Sequence, residues 1–254
     1  MSDEIRVAIA DGVLTVRINR PEKKNALTAA MYAGLAEALD AAAGDDAVRC
    51  TLILGVPGAF SSGNDIGDFL KLAMSGQRDS MAVFDFLERI IMAKKPVVAG
   101  VDGLAIGVGV TMLMHCDHVI ASDRATFKTP FVDLGLLPEA GSSLIGPQIM
   151  GHHRAFAMLA MGETFSAEDA RSAGLVNHVT TSDLLEERAI AAARSIAAKP
   201  PVALAQSRDL IRGDRAPVLQ RMKEEAKLWE ARLTSDEARQ AFMAFVQRGQ
   251  KKAG

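Results

Sequence analysis

The sequence predicts an α/β fold, and three observations carry that expectation. Short apolar runs of strand length recur at residues 50–54, 97–101 and 118–121, each bounded by turn-forming or charged residues. A helix rich in Ala and Leu precedes the first run, and two further helical segments separate it from the second. Beyond about residue 140 helices dominate, with one further strand expected at 175–179. Early alternation followed by accumulated helices describes a sheet covered by helices, with a helical part at the end.

The elements follow in order. Ile5 to Ile9 and Val13 to Ile18 alternate with period two around Asp11-Gly12, a turn pair that predicts a hairpin. Arg20-Pro21 breaks the second strand, Thr28 caps a helix through about Ala43, and Gly44 stops it. Cys50 to Leu54 is continuously apolar, as strands covered on both faces are. Residues 55–63 read as a loop leading to a helix from near Asp65, and residues 80–93 read as another amphipathic helix. Pro96 to Val101 is a second buried strand ended by the Asp102-Gly103 turn. Val108 to His115 is short and helix-like, and His118 to Ala121 is strand again. The strand–loop–helix unit thus recurs at 50–70 and 97–115. Lys199-Pro200-Pro201 opens a helical C-terminal part. Its last segment, Pro217 to Arg248, reads either as a helical pair packed on the core or as a subunit interface.

Composition narrows the function. The chain has 254 residues, 49% of them hydrophobic, with 29 basic against 31 acidic residues. A net charge of −2 excludes a generic binder of nucleic acid or anionic membrane. No run reaches the ~18 apolar residues of a membrane span. The acidic start and the plain Lys-Lys-Ala-Gly end carry no secretory or peroxisomal address, and Cys50 and Cys116 read as buried structural thiols, so a cytoplasmic protein is expected. The five histidines show no metal-ligand spacing, and none of the dinucleotide, Walker or nucleophile-elbow patterns is met.

Two glycine-containing turns carry the chemistry. Ser61-Ser62-Gly63-Asn64-Asp65-Ile66 and Gly103-Leu104-Ala105-Ile106-Gly107-Val108-Gly109 each bring small residues to a point where backbone N–H groups open a helix. Set side by side, two such turns make an oxyanion hole; taken singly, each reads equally as glycine used for close packing. Asp65 reads first as an N-cap for the helix that follows it.

Asn25-Ala26-Leu27 after Arg20-Pro21, the Ser-Gly-Asn-Asp turn and the Gly-Val-Gly turn resemble the crotonase (enoyl-CoA hydratase/isomerase) superfamily. Cys116-Asp117, Ala121-Ser122-Asp123, Ala125-Thr126-Phe127, Leu134-Gly135 and Ala173-Gly174-Leu175-Val176 continue the likeness to about residue 180. The resemblance implies a spiral of β-β-α units over residues 1–198 and a C-terminal helical segment over 199–254 that serves assembly into a homotrimer or a dimer of trimers. It implies an acyl-CoA thioester substrate, with no metal or redox cofactor; coenzyme A is part of the substrate. Carried over residue by residue, the two oxyanion-hole amides fall on Asn64 and Val108. The coenzyme A and substrate contacts fall on Lys24, Ala26, Ser61, Ser62, Gly63, Asp65, Ile66, Gly107 and Phe131, though Lys24 reads equally as a solvated loop lysine.

Hydratases of this superfamily place one glutamate in the helix after the glycine turn and another beyond the next strand. Here those positions hold Thr111 and Phe131, which cannot act as a carboxylate pair on water. A carboxylate appears instead at Glu139, in Pro138-Glu139-Ala140-Gly141-Ser142-Ser143, a pattern that resembles the peroxisomal-type Δ3,Δ2-enoyl-CoA isomerases and implies Glu139 as their catalytic base. Leu136, Leu137 and Phe131 around it are expected to raise its pKa. A hydratase, another lyase or a thioesterase of the same family remains the alternative, as does a non-catalytic acyl-CoA-binding protein.

Overall fold

The computed structural model describes residues 3–65, 67 and 81–251. Strands β1 (Ile5–Ala10) and β2 (Val13–Ile18) form the expected antiparallel hairpin, with Ala10 opposite Val13 across Asp11-Gly12. Helix α1 (Ala29–Gly44) begins where the Thr28 side chain accepts the Met31 N–H at 3.3 Å. Strands β3 (Cys50–Leu54) and β4 (Ala59–Ser61) follow, then helix α2 (Met81–Ile91), β5 (Val97–Val101) and β6 (Leu104–Ile106). Helix α3 (Val108–Thr111) continues into a 3₁₀ turn, Met112–His115. Strands β7 (His118–Ser122) and β8 (Thr126–Lys128), helix α4 (Ser142–Leu159), strand β9 (Phe165–Ser166), helix α5 (Ala167–Ser172) and strand β10 (His178–Thr180) complete the mixed region. Helices α6 (Leu185–Ala197), α7 (Pro201–Arg212), α8 (Ala216–Leu233) and α9 (Asp236–Lys251) end the chain.

Two sheets result. The larger has the order β1-β2-β3-β5-β7-β10, parallel from β2 onward; the smaller has the order β4-β6-β8-β9. Each central strand of the large sheet is followed by a three-residue strand of the small one: β3 by β4, β5 by β6, β7 by β8. The loop of the recurring strand–loop–helix unit therefore contains a strand of its own, which makes the unit β-β-α, and a third copy runs from β7 to α4. Sequence reasoning read the short strands as loop or turn because three residues cannot show a period of two. The strand expected at 175–179 lies at 178–180, displaced by the turn at Gly174.

Strands β3 and β5 are buried along their whole length, as their unbroken apolar runs require. One face of the large sheet packs under α6, with Leu185, Ala189 and Ala193 against Cys50, Leu52, Leu54 and Val98. The other face meets the main core, in which Tyr32, Phe60, Phe86 and Phe127 are wholly buried. Val218, Met222, Leu233, Ala238 and Phe242 from α8 and α9 belong to that same core. Among the described residues no helix is long and apolar enough to cross a membrane. Beyond Gly67, the helix expected from Asp65 lies outside the described residues, as does the expected substrate contact Ile66.

Candidate active site

The small sheet brings the two glycine turns together. β4 and β6 are parallel neighbours, with Ala59 opposite Leu104 and Ser61 opposite Ala105, and β8 lies parallel beyond β6. The chain therefore leaves all three strands at the same edge, and parallel sheets commonly bind their ligands outside the carboxyl ends of the strands. From β4 it passes through Ser62 and Gly63 to Asn64; from β6, through Gly107 to Val108; from β8, through Thr129 and Pro130 to Phe131. Gly109 sets how closely the first two turns approach. A Cβ there would stand 3.0 Å from the Ser61 carbonyl oxygen and 3.1 Å from Ser61 Cβ, so any larger residue pushes the turns apart.

Among the described residues, no hydrogen bond uses the backbone N–H of Asn64 or of Val108. The Val108 amide opens α3 and has no partner within the helix. The Asn64 amide is passed over by the pairing of its neighbours: Leu27 N–H donates to Gly63 O at 2.8 Å and Asp65 N–H donates to Leu27 O at 2.9 Å. Two open backbone donors thus stand on adjacent turns, and Phe131, 7% exposed, packs toward Gly107 beside them.

Glu139 lies on the segment that joins β8 to α4. Thr111, buried at the end of α3, donates its hydroxyl to Glu139 Oε1 at 2.5 Å. Burial pushes the Glu139 carboxyl up to about 7; the Thr111 hydrogen bond opposes the shift, and the negative charge of Glu225 adds to it. Tyr32 of α1 donates its phenol proton to the Asn64 side-chain oxygen. Its own pKa is driven well up by burial and by the Glu139 charge, so Asn64, Tyr32 and Glu139 share one neighbourhood. His115 is buried and held well down, at about 3, by desolvation and by Arg215 and Arg212. With Arg215 donating to Nδ1 at 2.9 Å, the neutral ring carries its proton on Nε2 and donates it to Ala140 O at 2.8 Å.

The residues expected to contact coenzyme A divide into two groups. Ser61, Gly63 and Asp65 are used by the loops themselves. Ser61 Oγ donates to Asn25 O at 3.0 Å and accepts the Gly63 N–H at 3.1 Å. The Asp65 carboxylate takes Arg20 at 2.7 Å and the Gly67 N–H at 2.9 Å, the second contact in keeping with its reading as a cap. Lys24 and Ser62 stand at the rim: Lys24 is exposed in a left-handed conformation, its carbonyl accepts the Ser62 N–H at 3.0 Å, and Ala26 follows half-buried. Ile66 lies outside the described residues. Asn25 anchors both loops, its buried amide donating to Ile18 O, Ala59 O and Phe60 O at 2.9–3.1 Å.

Sequence reasoning missed Tyr32, the donor role of Thr111, and Glu225. Thr111 was visible only as a missing acid. Tyr32 is the single tyrosine of the chain, and nothing in its spacing pointed at the site. Glu225 sits in a run of alternating charges that reads as a solvated face.

A family model described as enoyl-CoA hydratase/isomerase matches residues 8–253. The chain is 37% identical over 255 residues to enoyl-CoA delta isomerase 2 of Rattus norvegicus, the match covering 98% of this chain and 65% of that relative. It is 30% identical over 246 residues to 2,3-dehydroadipyl-CoA hydratase of Escherichia coli, with 96% of each covered. The crystal structure of an enoyl-CoA hydratase/isomerase from Pseudoalteromonas atlantica T6c superposes with a TM-score of 0.92 at 38% identity, over 97% of this chain and 98% of that one. The chain spans just under two thirds of the length of the rat relative. With the fold, the paired turns and a match along nearly the whole sequence in agreement, the chain belongs to the enoyl-CoA hydratase/isomerase family.

Proposed function

We propose that the protein is an acyl-CoA isomerase that shifts the double bond of a 3-enoyl-CoA to the 2-position with a single base. The observation that carries this reading is the buried carboxylate of Glu139, hydrogen-bonded to Thr111, poised near neutrality and near two turns with open backbone donors. The thioester oxygen is received by the N–H groups of Asn64 and Val108. Charge that develops on that oxygen is stabilised there, and one such donor is typically worth ~10²–10³ in rate. Glu139 takes a proton from the α-carbon, leaving a dienolate, and returns it to the γ-carbon. No water is consumed, and the same carboxylate serves as base and then acid. Thr111 and Phe131 occupy the positions where hydratases of this superfamily carry acids, and Phe131 makes that wall apolar, which supports isomerisation over hydration. The rim formed by Lys24, Ala26 and Ser62 receives the coenzyme A portion. A cytoplasmic location, expected from the cysteine usage of the sequence, completes this reading.

The direct test offers the enzyme a 3-enoyl-CoA and a 2-enoyl-CoA separately. Isomerisation of the first, with hydration of the second at least ~10²-fold slower, is expected. Hydration as the faster reaction overturns the proposal in favour of a hydratase.

A further inference from the structure

The segment that carries Glu139 is held from behind by a residue of the C-terminal helices. Between Glu139 and α4 the chain takes two consecutive left-handed residues, Ala140 at φ 63° and Gly141 at φ 71°. Alanine adopts that conformation only when its surroundings impose it. They do so here from two sides. His115 donates to the Ala140 carbonyl, and Glu225 of α8 accepts the Gly141 N–H at 2.6 Å and the Ser143 N–H at 3.0 Å. α8 also presses directly on the turn: a Cβ at Gly141 would stand 2.7 Å from Val218 Cγ1 and 2.9 Å from Val218 O.

Glu225 is 5% exposed, and among the described residues no lysine or arginine forms an ion pair with it; Arg221, one turn earlier, pairs with Glu224. A buried carboxylate in that state needs a reason to be there. Its direct partners are the Gly141 and Ser143 amides and the Ser143 side chain, all at the start of α4, where the positive end of the helix dipole lies. Glu139 stands just before the same helix end and meets the same dipole.

We propose that Glu225 is a positioning residue: by accepting the Gly141 and Ser143 amides it fixes the left-handed step that aims Glu139, and its charge shields Glu139 from the positive end of α4. Unshielded, that end would favour the ionised carboxylate and leave a weaker base. Among the described residues, the other charged and titratable groups facing the pair are Tyr32 from α1, neutral His115 with Arg215 and Arg212 behind it, and Arg221 on α8. The inference rests on the reading of Glu139 as the base.

The test titrates the Glu139 carboxyl by NMR in protein labelled with ¹³C-glutamate, its resonance assigned by loss in Glu139→Gln, alongside kcat and KM for a 3-enoyl-CoA. In Glu225→Gln the Glu139 midpoint is expected to fall by about one unit, with kcat down ~10-fold and KM unchanged. Glu225→Asp keeps the charge and loses the reach: its midpoint should stay at the wild-type value while kcat falls. A folded Glu225→Gln with wild-type midpoint and kcat overturns the proposal. Should Glu225→Gln not fold, wild-type kcat in Glu225→Asp overturns it equally. Because the midpoint is read without turnover, it separates the two claims. Activity surviving in Glu139→Gln removes the base; a folded Glu225→Gln with midpoint and kcat both unmoved removes only the role of Glu225.

Discussion

A carboxyl group that titrates near 7 is half ionised at neutral pH, the condition in which one group can both take and return a proton. Burial is the main cause at Glu139, and the consequence has a sign. The ionised form is the base, so kcat/KM for a 3-enoyl-CoA is expected to rise with pH through about 7 and level off above it; a profile flat between pH 5 and 9 would contradict this. The same shift costs stability. The folded pKa of about 7 exceeds the ordinary 4.5, so between those values the folded protein keeps a proton that the unfolded chain releases. Stability from this group is greatest below about 4.5 and falls as the pH rises to about 7. Glu139→Gln removes the titration. The variant should therefore gain on the order of 3 kcal/mol over wild type at pH 8, and the gain should vanish near pH 4, as denaturant unfolding at the two pH values would measure.

At the scale of elements, the site depends on strands too short to be seen in the sequence. β4, β6 and β8 each have three residues, yet their parallel pairing puts three turns at one edge. The turns themselves were legible, because Gly63, Gly107 and Gly109 stand where small residues precede helices. Their mutual contact was not, since it depends on pairing between residues more than forty positions apart, Ser61 with Ala105. Asn25 joins the two levels. Its one side chain satisfies the Ile18, Ala59 and Phe60 carbonyls and accepts the Arg20 N–H at 2.7 Å, so it ties the end of β2 to β4. Asn25→Ala leaves those buried groups without their partner and is expected to cost ~2–4 kcal/mol, read as a lowered midpoint in urea. It should also weaken coenzyme A binding, since Lys24 and Ser62 lose their common anchor.

Across the whole molecule, the last strand among the described residues ends at Thr180 and only helices follow, the boundary read near residue 199 falling between two of them. Residues beyond it nevertheless reach the candidate site. Val218, Met222, Ala238 and Phe242 fill the main core, and Glu225 touches the segment after Glu139. The alternation of charge along α8 concealed this, because a helix that buries one carboxylate looks in sequence like one that exposes all of them. Its neighbour α7 does the opposite and leaves Leu210 and Ile211 each 85% exposed, with Val202 at 67%. Exposed apolar side chains of this size are what a subunit interface would cover, and we propose that the expected assembly into a trimer or a pair of trimers uses this segment. Leu210→Lys with Ile211→Lys is then expected to yield a smaller species by light scattering while the fold persists by circular dichroism. An unchanged mass would remove α7 from the interface.

The central claim is that one carboxylate performs the reaction. Turnover of a 3-enoyl-CoA to its 2-enoyl isomer, measured side by side for wild type and Glu139→Gln at pH 8, tests it most directly. The account predicts steady isomerisation by the wild type and a loss of at least ~10³-fold in the variant, with its fold intact. Isomerisation by Glu139→Gln within a few-fold of wild type would contradict it.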